Sequence, residues 1–393
     1  MSENEYDLIV VGGGIAGVGV LQAAAARGYR ALLLEQREIA FGTSSRSSKL
    51  IHGGLRYLES FQFSLVRESL NERKILLRIA PHLVRLVPFY IPVYGDTSRQ
   101  AWQIRAGLSL YALLGSLRES ARFRTIPREQ WDELDGLKTI GLRKVFCYQD
   151  GQTDDAALAR AVLASAQSLG ANCAMPATMK AARAANDKWT VEYTGPNGDE
   201  SATGRVLINA GGPWVETVRE RITPKPPGFA VDLIQGAHIE VEGSVEKGIY
   251  YTEAPRDQRA VFTIPWKGHL MIGTTENEHT GPPEDVRALD SEIEYLLETH
   301  RHYFPGSDPR VINSWAGCRV LPRTKGSAFS RPRDVTLKVD NEARPTVLSI
   351  YGGKLTGYRA TAEKVIDKVA TTLGPRERVA RTDELVLPKD EAE

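Results

Sequence analysis

The sequence predicts an α/β fold of two interleaved domains: an open, largely parallel sheet of the dinucleotide-binding kind, and a second domain built on an antiparallel sheet. Three observations predict it. The chain begins with an apolar run, YDLIVV (6–11), a glycine-rich turn, a helix-like segment and a second apolar run. Two later apolar runs, within 205–214 and 346–351, end in small residues. Alternating segments separated by Pro- and Gly-rich loops lie between them.

A parallel strand covered on both faces needs near-continuous apolar residues, as 6–11 provides. GGGIAG follows, then an Ala-rich helix to about Arg27, a stop at Gly28, and RALLLE ending at Glu35. This is a βαβ unit. Gly12, Gly14 and Gly17 form a G-x-G-x-x-G pattern: one glycine for the tight turn, one for close approach to a pyrophosphate, one for helix–strand packing. The helix N-terminus presents N–H groups and a positive dipole to that phosphate. Glu35, 23 residues after Gly12, is placed to accept from a ribose hydroxyl, which favours FAD or NAD over NADP. Residues 8–26 carry no charge and have the length of a membrane span. The five glycines between positions 12 and 19 make the segment a strand, a turn and a helix instead.

In RVLINAGGPW (205–214), Ala210 and Gly211 let the backbone approach a flat ligand. In TVLSIYGGKLTGYRATAEKVIDKVA (346–370), a strand runs into Gly352–Gly353 and then a helix with Ala362, Val365, Ile366 and Val369 on its apolar face. One cofactor gripped from both ends of the chain is the expectation. GAHIEVEG (236–243) and AVFTIPW (260–266) alternate as strands, bounded by TPKPPG and TGPPED. The expected nucleotide-binding domain is discontinuous, 1–85, 150–222 and 312–393, and the substrate domain takes 86–149 and 223–311.

Across 393 residues, 50 Lys and Arg balance 49 Asp and Glu, so no net field attracts a polyanion and nucleic acid is not an expected partner. Segment 99–128 departs from this balance with six Arg and one Glu around AWQIRAGLSLYALLGSL. It either lies on a membrane surface with Trp102 and Tyr111 at headgroup depth, or packs on its own protein with its Arg residues toward solvent. Cys147, Cys173 and Cys318 are isolated; they read as packing thiols in a reducing compartment, with no metal-ligand spacing. The acidic N-terminus, MSENEYD, lacks the bases of an export signal. A cytoplasmic protein, or one peripheral on the cytoplasmic face, is expected.

Residues 43–59, TSSRSSKLIHGGLRYLE, crowd Ser, Lys, His, Arg and Gly together as only a ligand-facing loop requires. With VVGGGIAG, AWQIRAGLSLYALLG, NAGGPWV, QGAHIEV, FTIPW, IGTTE, AGCRVLP, RPRDVTL and YGGKLTGYR in the same order, the chain resembles the FAD-dependent glycerol-3-phosphate dehydrogenases over nearly its whole length. The resemblance implies a D-amino-acid-oxidase-like flavoprotein fold. It also implies an extended FAD with its adenosine end on Gly12 to Glu35 and its isoalloxazine near the 43–50 loop and Gly352–Gly353. Thr43, Ser44, Ser48, Leu50, Gly54, Leu355 and Thr356 join Gly12, Gly14, Gly17, Glu35, Ala210, Gly211, Gly352 and Gly353 as implied cofactor residues.

The resemblance places Arg56, Tyr57, His238, Arg319, Arg333 and Lys354 around the substrate. Oxidation of a secondary alcohol sends hydride from the carbinol carbon to flavin N5 while the hydroxyl proton leaves. His238 suits the base, and Arg56 the developing alkoxide. Arg319 and Arg333 suit a bidentate phosphate clamp, joined by Lys354, and Tyr57 is a further substrate-binding residue. The implied reaction is oxidation of sn-glycerol 3-phosphate to dihydroxyacetone phosphate, with electrons passed to quinone, and a homodimer is compatible with it. Alternatives are an oxidase, a dehydrogenase for another small phosphorylated or carboxylated hydroxy or amino compound, and a flavin-binding protein without turnover. The family continues into a further helical domain where this sequence stops at VLPKDEAE, so the expectation is the two-domain core without it. Glu276 stands where the family commonly has Asp.

Overall fold

The computed structural model describes residues 4–116, 121–323 and 335–389. Its first sheet shows why the apolar runs are continuous. Strands Val347–Tyr351, Gly198–Asn209, Glu5–Val11, Ala31–Leu34 and Asn172–Ala174 lie parallel and side by side. Every residue from Tyr6 to Val11 is buried, because both faces are covered. Leu8, Val10 and Leu33 pack in one apolar cluster with Val18 and Leu21 of helix Ile15–Ala26, Leu158 and Val162 of helix Asp155–Ser168, and Val365 and Ile366 of helix Tyr358–Leu373. Ile9, Val11, Leu32 and Leu34 point the other way, into a cluster with Met179, Trp189 and Tyr193. The alternation follows the two-residue period of a strand. This second cover is an antiparallel meander of Thr178–Ala185, Lys188–Gly195 and the first half of Gly198–Asn209.

The second sheet runs in the order Val311–Pro322, Val231–Val241, His269–Gly273, Ala260–Trp266, Ile249–Glu253, Val84–Tyr94, Leu142–Thr153 and Leu50–Ile51. Its pairings are antiparallel except between Ile249–Glu253 and Val84–Tyr94. The expected GAHIEVEG and AVFTIPW segments fall on Val231–Val241 and Ala260–Trp266.

Strand pairing departs from the expected boundaries in two places. Residues 312–322, expected with the nucleotide-binding parts, pair with Val231–Val241 from Val231↔Pro322 to Val241↔Val311 and so extend the second sheet. Leu142–Thr153, divided at residue 150 in the expectation, is one continuous strand. Both are long-range pairings, which local composition does not encode.

The basic segment forms helix Ala101–Leu114. Ile104, Leu108, Tyr111 and Ala112 are buried, while Trp102 and Leu113 are 71% and 60% exposed. Tyr111, expected at headgroup depth in the membrane alternative, is fully buried instead. Its hydroxyl is held inside by Asp150 and by the Gly53 N–H. Residues 117–120 of the segment lie outside the described residues.

A Cβ at Gly17 would sit 1.8 Å from the Gly12 carbonyl oxygen, a backbone atom that cannot swing away. Gly17→Ala should therefore destabilise the protein by about 1–3 kcal/mol, the usual cost of overpacking, with loss of bound cofactor. Thermal unfolding and cofactor content of the purified variant measure this; wild-type values for both would contradict the packing role.

Candidate active site

A cavity of about 490 Å³ lies within the usual range for ligand pockets, about 300–1,000 Å³. Its lining includes Gly12, Gly13, Gly14, Glu35, Thr43, Ser44, Ser48, Leu50, Gly54, Ala210, Gly211 and the stretch Gly352–Thr356. Gly12, at φ +111°, makes the turn, and a Cβ there would lie 2.5 Å from the Ala210 carbonyl oxygen. Glu35, directly after Ala31–Leu34, accepts from the Gly13 N–H at 2.6 Å and the Arg37 N–H at 2.8 Å. The carboxylate thus ties the glycine turn to the end of the second strand and keeps lone pairs for a further donor. Gly14 caps helix Ile15–Ala26 without a side chain, and the Ser44 hydroxyl accepts from the Ile15 N–H at 2.9 Å. Gly17 does not line the cavity; it packs beneath it, against Gly12.

The 43–57 loop is laid on the segment 149–155. Leu50 and Ile51 pair with Gln152 and Gly151, and the Thr153 N–H donates to Lys49 O at 2.9 Å. Asp155, completely buried, accepts from the Ser47 N–H and hydroxyl at 3.0 and 2.6 Å and from Lys49 Nζ at 2.6 Å. Thr43 Oγ1 donates to Cys318 O at 2.5 Å, joining the loop to the second sheet. Thr356 Oγ1 accepts from the His52 N–H at 3.1 Å.

His238, Arg56, Tyr57, Arg319 and Lys354 all line the same cavity, brought together from the second sheet, the 43–57 loop and the turn before helix Tyr358–Leu373. Arg333 lies outside the described residues. His238 Nε2 is 2.9 Å from Ser48 Oγ, and its ring stacks on Trp315 at 5.9 Å. Burial, and then the charges of Lys49 and Arg319, push the imidazole down to about 3, so it is neutral in ordinary buffers. Lys354 Nζ sits 3.8 Å over the Tyr57 ring. Arg319 lies 3.4 Å from Glu276 Oε1, and Arg259 donates to Glu276 O at 2.8 Å.

Sequence reasoning missed His52 and Arg259, both in the cavity wall. His52 was legible within the LIHGGLRY motif. Arg259 precedes the AVFTIPW strand and carries no local signal; only the pairing of that strand turns it inward. Lys49, Asp150 and Asp155 were missed for the same reason, since their partners are remote in the chain.

A βαβ nucleotide turn opening into a chamber walled by arginines and lysine defines an oxidoreductase that works with a bound dinucleotide. The chain belongs to the FAD dependent oxidoreductase family, whose model matches residues 7–359. It is 38% identical over 373 residues to a glycerol-3-phosphate dehydrogenase of Pseudomonas tolaasii, covering 93% of this chain and 71% of the relative. It is 37% identical to a D-erythritol 1-phosphate dehydrogenase of Brucella abortus (strain 2308), covering 93% and 74%. A solved glycerol-3-phosphate dehydrogenase from Bacillus halodurans complexed with FAD superposes with a TM-score of 0.78 at 27% identity, over 98% of this chain and 68% of that one. The cavity fits FAD on its own terms: a Cβ at Gly353 or Gly212 would meet no protein atom within 4 Å. Open space therefore remains where the backbone borders the cavity.

His300 is also held down, to about 4, by burial and then the Arg301 charge. Both histidines bind fewer protons folded than unfolded, so their contribution is complete above the ordinary value of 6.5 and is lost as pH falls toward 4 and then 3. The slope should reach about 1.4 kcal/mol per pH unit for each histidine. Thermal unfolding between pH 7.5 and 5 should show it, with a shallower slope in His300→Gln; a flat profile would exclude neutral burial of these rings.

Proposed function

We propose that this protein oxidises sn-glycerol 3-phosphate to dihydroxyacetone phosphate with bound FAD and passes the electrons to a quinone. The observation that carries this is the cationic wall of Arg56, Arg259, Arg319 and Lys354 in one cavity with a neutral histidine. A phosphate ester brings close to two negative charges, and guanidinium forks bind it bidentately. Arg319 and Arg259, both tied to Glu276, are the clamp, with Lys354 and Tyr57 completing it. Bound FAD supplies the hydride acceptor. His238 receives the hydroxyl proton beside the Ser48 hydroxyl, and Arg56 stabilises the negative charge developing on the alcohol oxygen. The incoming dianion offsets the Arg319 charge that helps to depress His238, so substrate binding itself makes the base stronger.

A second reading, oxidation of a longer polyol phosphate, is favoured by the 37% identity to the D-erythritol 1-phosphate dehydrogenase. Electron delivery to a quinone places the enzyme at a membrane. No helix among the described residues is long and apolar enough to cross one. Helix Ala101–Leu114, with Trp102 and Leu113 outward and the Arg105 side chain exposed, is the proposed surface contact.

Anaerobic mixing with glycerol 3-phosphate should bleach the oxidised flavin, and quinone should restore it. Bleaching by erythritol phosphate alone would select the second reading, and restoration by oxygen alone an oxidase. Arg319→Ala should raise KM about tenfold or more, as loss of a charged contact does, and retain FAD; loss of flavin instead would remove Arg319 from the phosphate clamp. Sedimentation with anionic vesicles should show binding at low salt, weakened in Trp102→Ala. No binding at low salt would leave the helix as a core-packed element only.

A further inference from the structure

The 43–57 loop is held by two buried carboxylates five positions apart, Asp150 and Asp155, and each reaches a different half of it. Asp155 holds Ser47 and Lys49, which flank Ser48 and so the Ser48–His238 contact. Asp150 reaches the other half through Tyr111. The Tyr111 hydroxyl donates to Asp150 Oδ2 at 2.6 Å and accepts from the Gly53 N–H at 2.9 Å. Arg73 NH1 donates to Asp150 Oδ1 at 2.6 Å and to Gln149 O at 3.0 Å. Tyr111, Asp150 and Arg73 are all almost fully buried. A Cβ at Gly53 would lie 2.4 Å from the Tyr111 hydroxyl, so the contact demands glycine there.

From Gly53 the chain turns through Gly54, at φ +75°, directly into Arg56 and Tyr57, the residues that face the cavity next to Lys354. The Gly53 N–H is thus the hydrogen bond that ties the loop to the interior just before those side chains, with Leu55 packed against the apolar cluster that contains Tyr111. We propose that Tyr111, oriented by Asp150 and Arg73, is a positioning residue that sets Arg56 and Tyr57 for the anionic substrate, independently of the Asp155 staple that sets Ser48 and His238. A buried tyrosine from a helix of the second domain then controls substrate affinity without touching substrate. The kinetic half of this proposal rests on the substrate reading above; the structural half does not.

Tyr111→Phe keeps the ring against Tyr148, which it meets edge-on at 5.8 Å, and leaves Asp150 paired with Arg73, so no buried charge is stranded. In the FAD-loaded variant, hydrogen exchange in a peptide spanning 52–58 should accelerate about fivefold or more, as loss of one buried hydrogen bond predicts. Exchange in helix Ile15–Ala26 and flavin content should stay at wild-type values. KM for glycerol 3-phosphate should rise about five- to tenfold; kcat should fall with it, because Arg56 also meets the developing alkoxide, while the pH profile of kcat, which reports His238, keeps its wild-type position. Ser47→Ala, on the other branch, should lower kcat and shift its pH profile while leaving KM nearly unchanged. Unchanged exchange at 52–58 in Tyr111→Phe would overturn the anchor. Equal effects of both variants on KM and kcat would overturn the division of labour. Wild-type flavin that glycerol 3-phosphate does not bleach would refute the substrate reading, and the exchange result would still decide the anchor.

Discussion

The docking of the 43–57 loop onto residues 149–155 is the interaction on which the site depends. A serine-rich loop between two domains has few apolar residues to hold it in place, here Leu50 and Ile51 in the buried clusters and Leu55 and Tyr57 packed against one of them. Its position comes from a two-residue strand pairing with Gly151 and Gln152, the Lys49–Asp155 ion pair and the Tyr111 link to Asp150. Gly151 makes the pairing possible, since a Cβ there would lie 2.5 Å from Ile51 O. Each ion of such a buried pair loses several kcal/mol of hydration on leaving water. For Asp155 that cost is offset because each oxygen meets two donors: Oδ1 accepts from Lys49 Nζ and the Ala156 N–H, and Oδ2 from the Ser47 N–H and hydroxyl. Removing one partner would strand the other, so the pairs impose a single loop geometry more than they add stability.

The same arrangement sets the electrostatics of the cavity. Lys49 lies in the loop and Arg319 on the second sheet, and both disfavour a proton on His238. Burial contributes most to this, so the imidazole is neutral among these cations. In the proposed function, Arg56, Arg259, Arg319 and Lys354 attract a phosphorylated substrate, whose charge in turn offsets that of Arg319 at His238. Glu276 moderates the wall: its side chain meets Arg319 and its backbone carbonyl meets Arg259.

Much of the fold was legible because its signals are local. Continuous apolar residues at 6–11 and 31–34 require a covered parallel sheet, and two of the glycines show their geometric duty in the contacts: a positive φ at Gly12 and, at Gly17, a 1.8 Å approach to the Gly12 carbonyl oxygen. The meander at 178–204 was not legible. Its middle strand does alternate Trp189, Val191 and Tyr193 with polar residues, but the charged and small residues flanking it do not tell which sheet it joins.

The sequence by itself pointed to a dinucleotide site at the glycine turn and Glu35, because a phosphate-binding turn is built from consecutive residues. It also marked the 43–59 loop as ligand-facing, since no helix or strand calls for that composition. Only the tertiary structure decided that Val311–Pro322 joins the second sheet, that Arg259 turns inward, that Tyr111 faces the core and not a membrane, and that Asp150 and Asp155 hold opposite halves of one loop. Those outcomes are pairings between residues tens to hundreds of positions apart, and their energy resides in burial and hydrogen bonds that exist only after the two sheets have closed around the cavity.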